Sequence, residues 1–499
     1  MSVSDQPYDK DGVLRASIDR SLRHPVMFFF TSGAAWLAVA ILLGIITSAQ
    51  SGHPDFLSGA SWLTYGRLKP AHETALIYGW GCQAAFGMMI WLMARLSRQP
   101  CRSPGTILVA GHVWNLVISL GIIGILAGGG TGMPWMEMPA FAWVPMLIAY
   151  TAIVIWSMVQ FKLRPEGHTY ISQWYLMAAL IWFPWFFASS HLLVHGFDGS
   201  PLGAATVNAW YRSAMLLMFF APVGIGMAYY LVPKVLGRPV YNYSLSLIGF
   251  WALAIIAPWA GIQKITGAPI PHFLPYVGAF ATILFAVPAA IAGINLLKTA
   301  LEDLGTVNES PTLRFTVWGL AFLLVFGVAA VLLNSPNLLG LNLLAITQFT
   351  ISGYGFEVLG IYGFFSFIAF GAIYFIVPRI TRREWLSRRL IKMHFFLSIY
   401  AVGGIALIAI FGGVMQGVGQ EDFGQAWMAV AGRAYPYTTF ATIAWSFLLI
   451  SNIFFFIHLK LMWLRLGKRS SHPTLLIEAH HASPHGPEGD IDNAGSMVH

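Results

Sequence analysis

Charge is scarce in this sequence: 10% of its 499 residues are Asp, Glu, Lys or Arg. A soluble globule carries about 25%, so a water-facing globular fold is excluded. Cysteine is scarcer still, with Cys82 inside an apolar run and Cys101 in a connection, which offers no disulfide framework. No C-x-x-C-H motif is present to attach haem covalently. The first 24 residues are polar and the first apolar run is long enough to span a bilayer, so a cleavable signal peptide is not expected. No repeat of short period is visible, which points to a single membrane domain.

Apolar residues are what the chain has in abundance, 57% in all with a mean hydropathy of +0.67. Runs of spanning length lie near 27–48, 73–94, 107–128, 139–160, 172–195, 210–233, 243–261, 274–296, 315–334, 345–377, 393–416 and 437–464. The expected fold is therefore an all-α polytopic membrane protein with twelve transmembrane helices, residues 25–466. A polar N-terminal segment (1–24) precedes it, and a disordered tail (467–499) rich in Gly, Pro and Ser follows. The tail's His480, His481 and His485 offer at most a weak chelating site.

Lys and Arg cluster on alternate connections, from Arg15, Arg20 and Arg23 to Lys460, Arg465 and Lys468. That asymmetry predicts cytoplasmic termini and accounts for the net charge of +8 without any nucleic-acid partner. The Pro/Gly-punctuated connections at Gly128–Pro139 and Gly267–Pro275 read as tight turns on the opposite surface.

Two places can carry metal chemistry. His72 opens the second apolar run, where a neutral imidazole is either a metal or haem ligand or an interfacial residue bonded to the helix end. His191 and His195, four residues apart, stack on one face of the fifth helix, as a pair for a metal or one haem edge or as two interfacial histidines. His112 and His394 fall near the opposite ends of their helices, ~30 Å from His72, too far to share one haem with it.

Four stretches carry a family resemblance: RLKPAH (67–72), YYLVPKVLGRP (229–239) followed by WAG (259–261), FIAFGAIYFIVPRI (367–380) and MHFFLSIYAVGG (393–404). In order and spacing they resemble subunit I of the haem-copper oxidase superfamily, most of all its cbb(3)-type branch. The resemblance implies a low-spin haem b held by the residue matching His72 and by a tenth-helix His-x-His. It also implies a high-spin haem on the same motif, copper B on three histidines of helices six and seven, and a seventh-helix tyrosine. Carried over one position at a time, the His-x-His falls on Phe356, Glu357 and Val358. The copper ligands fall on Ser213, Gln263 and Lys264, and the tyrosine on Ala257.

Of six implied histidines only His72 remains. Oxygen reduction needs an open haem site and a second metal, and Ser, Gln, Ala and Val cannot hold copper. The expectation is at most one haem b, without copper B or high-spin haem. Glu357, Lys264 and Arg212 are charges at membrane depth, costly unless paired, so Glu357 is expected to pair with Lys264 or Arg212 in the vacated site; the alternative has both cations snorkelling to the interface.

The first function this supports is a membrane subunit of a respiratory electron-transfer complex in a bacterial inner membrane. It would work with other membrane and periplasmic subunits, c-type cytochromes or quinone. The alternatives are a cofactor-free anchor, channel or carrier on the same scaffold, and an active terminal oxidase using ligands not visible in the sequence.

Overall fold

The computed structural model describes residues 10–165, 167, 169–196, 200–421 and 424–468. Within them are twelve helices long and apolar enough to cross a membrane: α1 (Asp11–Gly52), α2 (Tyr65–Leu96), α3 (Pro104–Leu126), α4 (Ala140–Lys162), α5 (Ile171–His195) and α6 (Pro201–Leu236), then α7 (Tyr243–Ile265), α8 (Phe273–Leu301), α9 (Pro311–Asn334), α10 (Ser352–Thr381), α11 (Arg388–Gln420) and α12 (Trp427–Trp463). The all-α, twelve-helix expectation is met. Of the expected tail only Gly467 and Lys468 are described; His480, His481 and His485 lie outside the described residues, as do residues 1–9.

Odd-numbered helices start at the end that carries the N-terminal segment, called here the basic end, and even-numbered helices start at the far end. Helices run past their apolar cores where polar side chains hold them. α1 is helical well before residue 25, because Asp19 accepts hydrogen bonds from Trp91 Nε1 at 3.0 Å and from Arg95 at 3.1 Å, and Asp11 pairs with Arg98. Side-chain caps set other starts: Ser310 accepts from Leu313 N at 3.3 Å ahead of Pro311, and Asn242 accepts from Leu245 N at 3.0 Å.

Three helices form the inside of the bundle. The most apolar stretch of α2, of α6 and of α10 is wholly buried, whereas the other nine leave much of theirs facing outward. The inner helices interlock through glycine against aromatic rings. A Cβ at Gly81 of α2 would stand 2.8 Å from the Phe220 ring of α6, and one at Gly224 of α6 would stand 2.6 Å from Phe364 of α10. Small residues thus let helices approach where no hydrophobic effect drives them together. Each inner helix also carries a π-helical stretch: Ala75–Gly81, Met215–Phe220 and Leu359–Ser366.

The connection from Gly128 to Pro139 is not the surface turn expected from its composition. Trp135, Met136, Glu137 and Met138 are buried, and the loop folds back over the far end of the bundle. Its own polar groups make this feasible: Thr131 N–H donates to Glu137 O at 3.1 Å, Thr131 Oγ1 to Met136 O at 2.8 Å, and Asn208 Nδ2 of α6 to Pro134 O at 2.8 Å.

Candidate functional site

His72 is fully buried two turns into α2. Its Nδ1 lies 2.7 Å from Ala40 O of α1; a carbonyl only accepts, so Nδ1 carries the hydrogen and Nε2 keeps its lone pair. Nε2 has no protein partner. A backbone carbonyl that fixes the tautomer and leaves Nε2 free is the arrangement of a metal-binding histidine. α1 comes this close because residue 44 is glycine: a Cβ there would stand 3.0 Å from His72 Cε1. The indole of Trp445 from α12 meets the imidazole edge-on, with centroids 5.4 Å apart, and contacts Tyr362 of α10 on its other side at 5.8 Å. The residues present thus fit one axial bond from His72, and α10 contains no histidine to supply a second.

One helix over, the residues singled out in the sequence meet. Glu357 of α10 pairs with Arg212 of α6, and the ammonium of Lys264 at the end of α7 stands 3.4 Å from the same carboxylate oxygen. The carboxylate is buried, while each cation is about one-fifth exposed (22%) toward the far end. The structure therefore brings Glu357, Arg212 and Lys264 together, with both cations paired and reaching outward as well.

Gln263 is fully engaged: its Oε1 accepts from Gly261 N at 2.8 Å, and its Nε2 donates to Thr282 Oγ1 at 2.7 Å and Asn334 Oδ1 at 3.0 Å. Ser213 lies against Gly261, which only glycine suits, since its φ is +119° and a Cβ there would stand 2.7 Å from Ala209 O. Ala257 is buried, and Phe356 and Val358 pack into the core, Phe356 on Phe326 at 4.5 Å. A metal at these positions would meet a guanidinium, an ammonium and an amide already bonded on both ends. The residues do not fit copper or a second haem.

Sequence reasoning missed half of this charged group. Lys69 bridges to Glu73 at 2.8 Å and sits 3.9 Å above the Tyr354 ring. Glu73 in turn lies beside the Glu137 carboxyl of the folded-back loop. Arg212 lies within electrostatic reach of Glu73, Glu137 and Glu357 alike. Burial and the neighbouring Glu73 push the Glu137 carboxyl well above the usual carboxylate range. The sequence signal for Glu137 was a lone carboxylate within the apolar run MPWMEMP; its depth depended on how the loop folds.

His191 and His195 stand together at the far end of α5, rings nearly parallel with centroids 5.6 Å apart. His191 stacks on Trp143 at 5.9 Å, and neither of its ring nitrogens has a protein partner. No group of three or more His, Cys, Asp or Glu with metal-binding geometry occurs among the described residues. His394 belongs to the basic end, where its Nδ1 lies 2.8 Å from the Tyr374 hydroxyl, and His112 bonds its own helix at Leu108 O.

The family model for cytochrome c and quinol oxidase polypeptide I matches residues 24–461. Cytochrome c oxidase subunit 1 of Rhodobacter capsulatus is 27% identical over 88% of this chain and 80% of its own length. The Cbb3-type cytochrome c oxidase subunit CcoN1 of Stutzerimonas stutzeri is 27% identical over 77% of this chain and 81% of its own. A solved heme-copper terminal oxidase dimer superposes with a TM-score of 0.73 at 14% identity, covering 95% of this chain and 90% of that one. With the fold, the motif order and a match across nearly the whole membrane domain in agreement, the chain belongs to the cytochrome c and quinol oxidase polypeptide I family, the subunit I of haem-copper oxidases.

Proposed function

We propose that this chain is a membrane subunit of an electron-transfer complex that holds at most one haem b, on His72, and does not itself reduce oxygen. The observation that carries the reading is the Arg212–Glu357–Lys264 ion-pair group, which stands among the positions matching the family's metal ligands: Lys264 falls on one, Arg212 adjoins Ser213, and Glu357 lies between Phe356 and Val358. A haem b would supply one-electron transfer. The chain's part is to present His72 Nε2 with its tautomer set by Ala40 and to keep water out with Trp445 and Tyr362. The basic connections support an orientation with both termini in the cytoplasm, and the bacterial relatives support the inner membrane. The relatives are named as cytochrome c oxidase subunits and the family as cytochrome c and quinol oxidases, so c-type cytochromes, quinone and further membrane or periplasmic subunits are the partners to seek.

A second reading, a cofactor-free anchor, channel or carrier, is favoured by the Trp445 indole against His72, which fills space beside the imidazole. Dithionite-reduced absorbance of the purified chain separates the two. A b-type α band that disappears in His72→Phe supports electron transfer, and a folded sample without it supports the second reading. Copper in the purified complex together with oxygen uptake would overturn both in favour of a terminal oxidase.

A further inference from the structure

At the basic end, far from the charged group described above, a groove of about 370 Å³ opens between the first turns of α9 and α11. Arg314 and Lys392 stand at its mouth with Asn308, and Trp318, Phe395, Phe396 and Tyr400 line its length. Other cations of this end are matched to carboxylates, as Arg95 is to Asp19, Arg98 to Asp11 and Arg238 to Glu302. Arg314 and Lys392 make no ion pair among the described residues. Arg314 is held in place all the same, by one hydrogen bond to Asn308 O and by the Phe395 ring 5.5 Å from its guanidinium carbon. One N–H is used there out of five, so a bidentate bond to phosphate remains open.

The apolar lining lies deeper than the cations. Trp318 is one turn below Arg314, and Tyr400 is eight residues, or about 12 Å, along α11 from Lys392. Trp318, Phe396 and Tyr400 are exposed on the bundle's lipid-facing surface. Paired cations at the interface above an aromatic strip that descends into the hydrocarbon match an anionic headgroup with its acyl chains, and a soluble anion would have no use for the strip. We propose that this groove binds an anionic phospholipid, its phosphate between Arg314 and Lys392 and its chains along Trp318, Phe396 and Tyr400.

Native mass spectrometry of the full chain released from nanodiscs containing phosphatidylglycerol and phosphatidylcholine tests the proposal. Wild type is expected to retain phosphatidylglycerol selectively, and Arg314→Gln/Lys392→Gln to hold it about 30-fold more weakly, at about 1 kcal/mol for each basic side chain. Lys162→Gln/Arg465→Gln, which removes two exposed basic-end cations away from the groove, is expected to retain it as wild type does. Equal retention of phosphatidylcholine, undiminished retention by the first variant, or equal loss in the second would each overturn the site. The first variant's thermal transition in lipid-free detergent checks that it is folded.

Discussion

Two neighbourhoods at the far end of the bundle, one around His72 and one around Glu357, sit on adjacent inner helices and have diverged in opposite ways. Around His72 the ligand geometry is intact: a fixed tautomer, a free Nε2, and a glycine on α1 that makes the room. Around Glu357 the charged and amide groups are tied to one another. Charges answer charges, and Gln263 closes its amide on three partners. Under the proposed function, the contrast teaches that a metal site is given up without collapse when the groups that take its place satisfy one another. Buried groups left unpaired cost far more than groups replaced in concert.

The largest effect is expected at Glu357. Glu357→Gln removes the carboxylate that Arg212 and Lys264 share, and the folded state should lose about 3 kcal/mol, the low end for a broken buried pair because both cations retain some water. Thermal unfolding in detergent reads it, and an unchanged transition would remove the ion pair from the argument. Gly44→Val comes next: its side chain would enter space held by His72 and Trp445, costing about 2 kcal/mol by overpacking and displacing the imidazole. If the purified chain shows a b-type band, this variant should weaken it while leaving the Glu357 neighbourhood as stable as before.

His72→Phe should lower stability by only about 1 kcal/mol, the worth of its hydrogen bond to Ala40, and abolish any b-type band. A stability loss several times larger would mean the residue is structural first. The smallest effect is at Glu137, whose carboxyl is held well above the usual carboxylate range in the fold. Its contribution is whole below the unfolded value of about 4.3 and falls as pH rises toward the raised folded value. Glu137→Gln cannot ionise. Wild type should therefore lose stability relative to this variant as pH rises above that unfolded value; parallel pH profiles would show that the carboxyl is not raised in the fold.

Much of this was legible in the residues. Hydropathy marked all twelve helices in order, because a bilayer demands apolar length and the chain has few other places to put it. Their ends were not marked. α1 begins sixteen residues before its apolar run and α12 begins ten before, since Asp11, Asp19 and the backbone continue a helix where hydropathy has already fallen. Arg212, Lys264 and Glu357 stood out because charges at depth are expensive, which is a local signal. Glu73 and Glu137 did not, because their meeting depends on a glycine- and proline-rich loop turning inward, and polarity alone gives such a loop to the surface. The 191–195 spacing did place two imidazoles on one face; what they serve needs a third group that α5 itself does not offer.

The π-helical stretches of α2, α6 and α10 set how those helices can change. Such a stretch accommodates one residue more than an α-helix would, so removing a single residue from Leu359–Ser366 would let the helix tighten and turn everything on its far side by about 100° about the axis. Glu357 would then swing away from Arg212 while Tyr374 and the motif ending at Arg379 kept their places. The three inner helices are thus built in two segments joined by a swivel. One deleted codon could re-aim a whole site, a route for a lineage to gain or lose a metal centre that needs no substitution among the ligands.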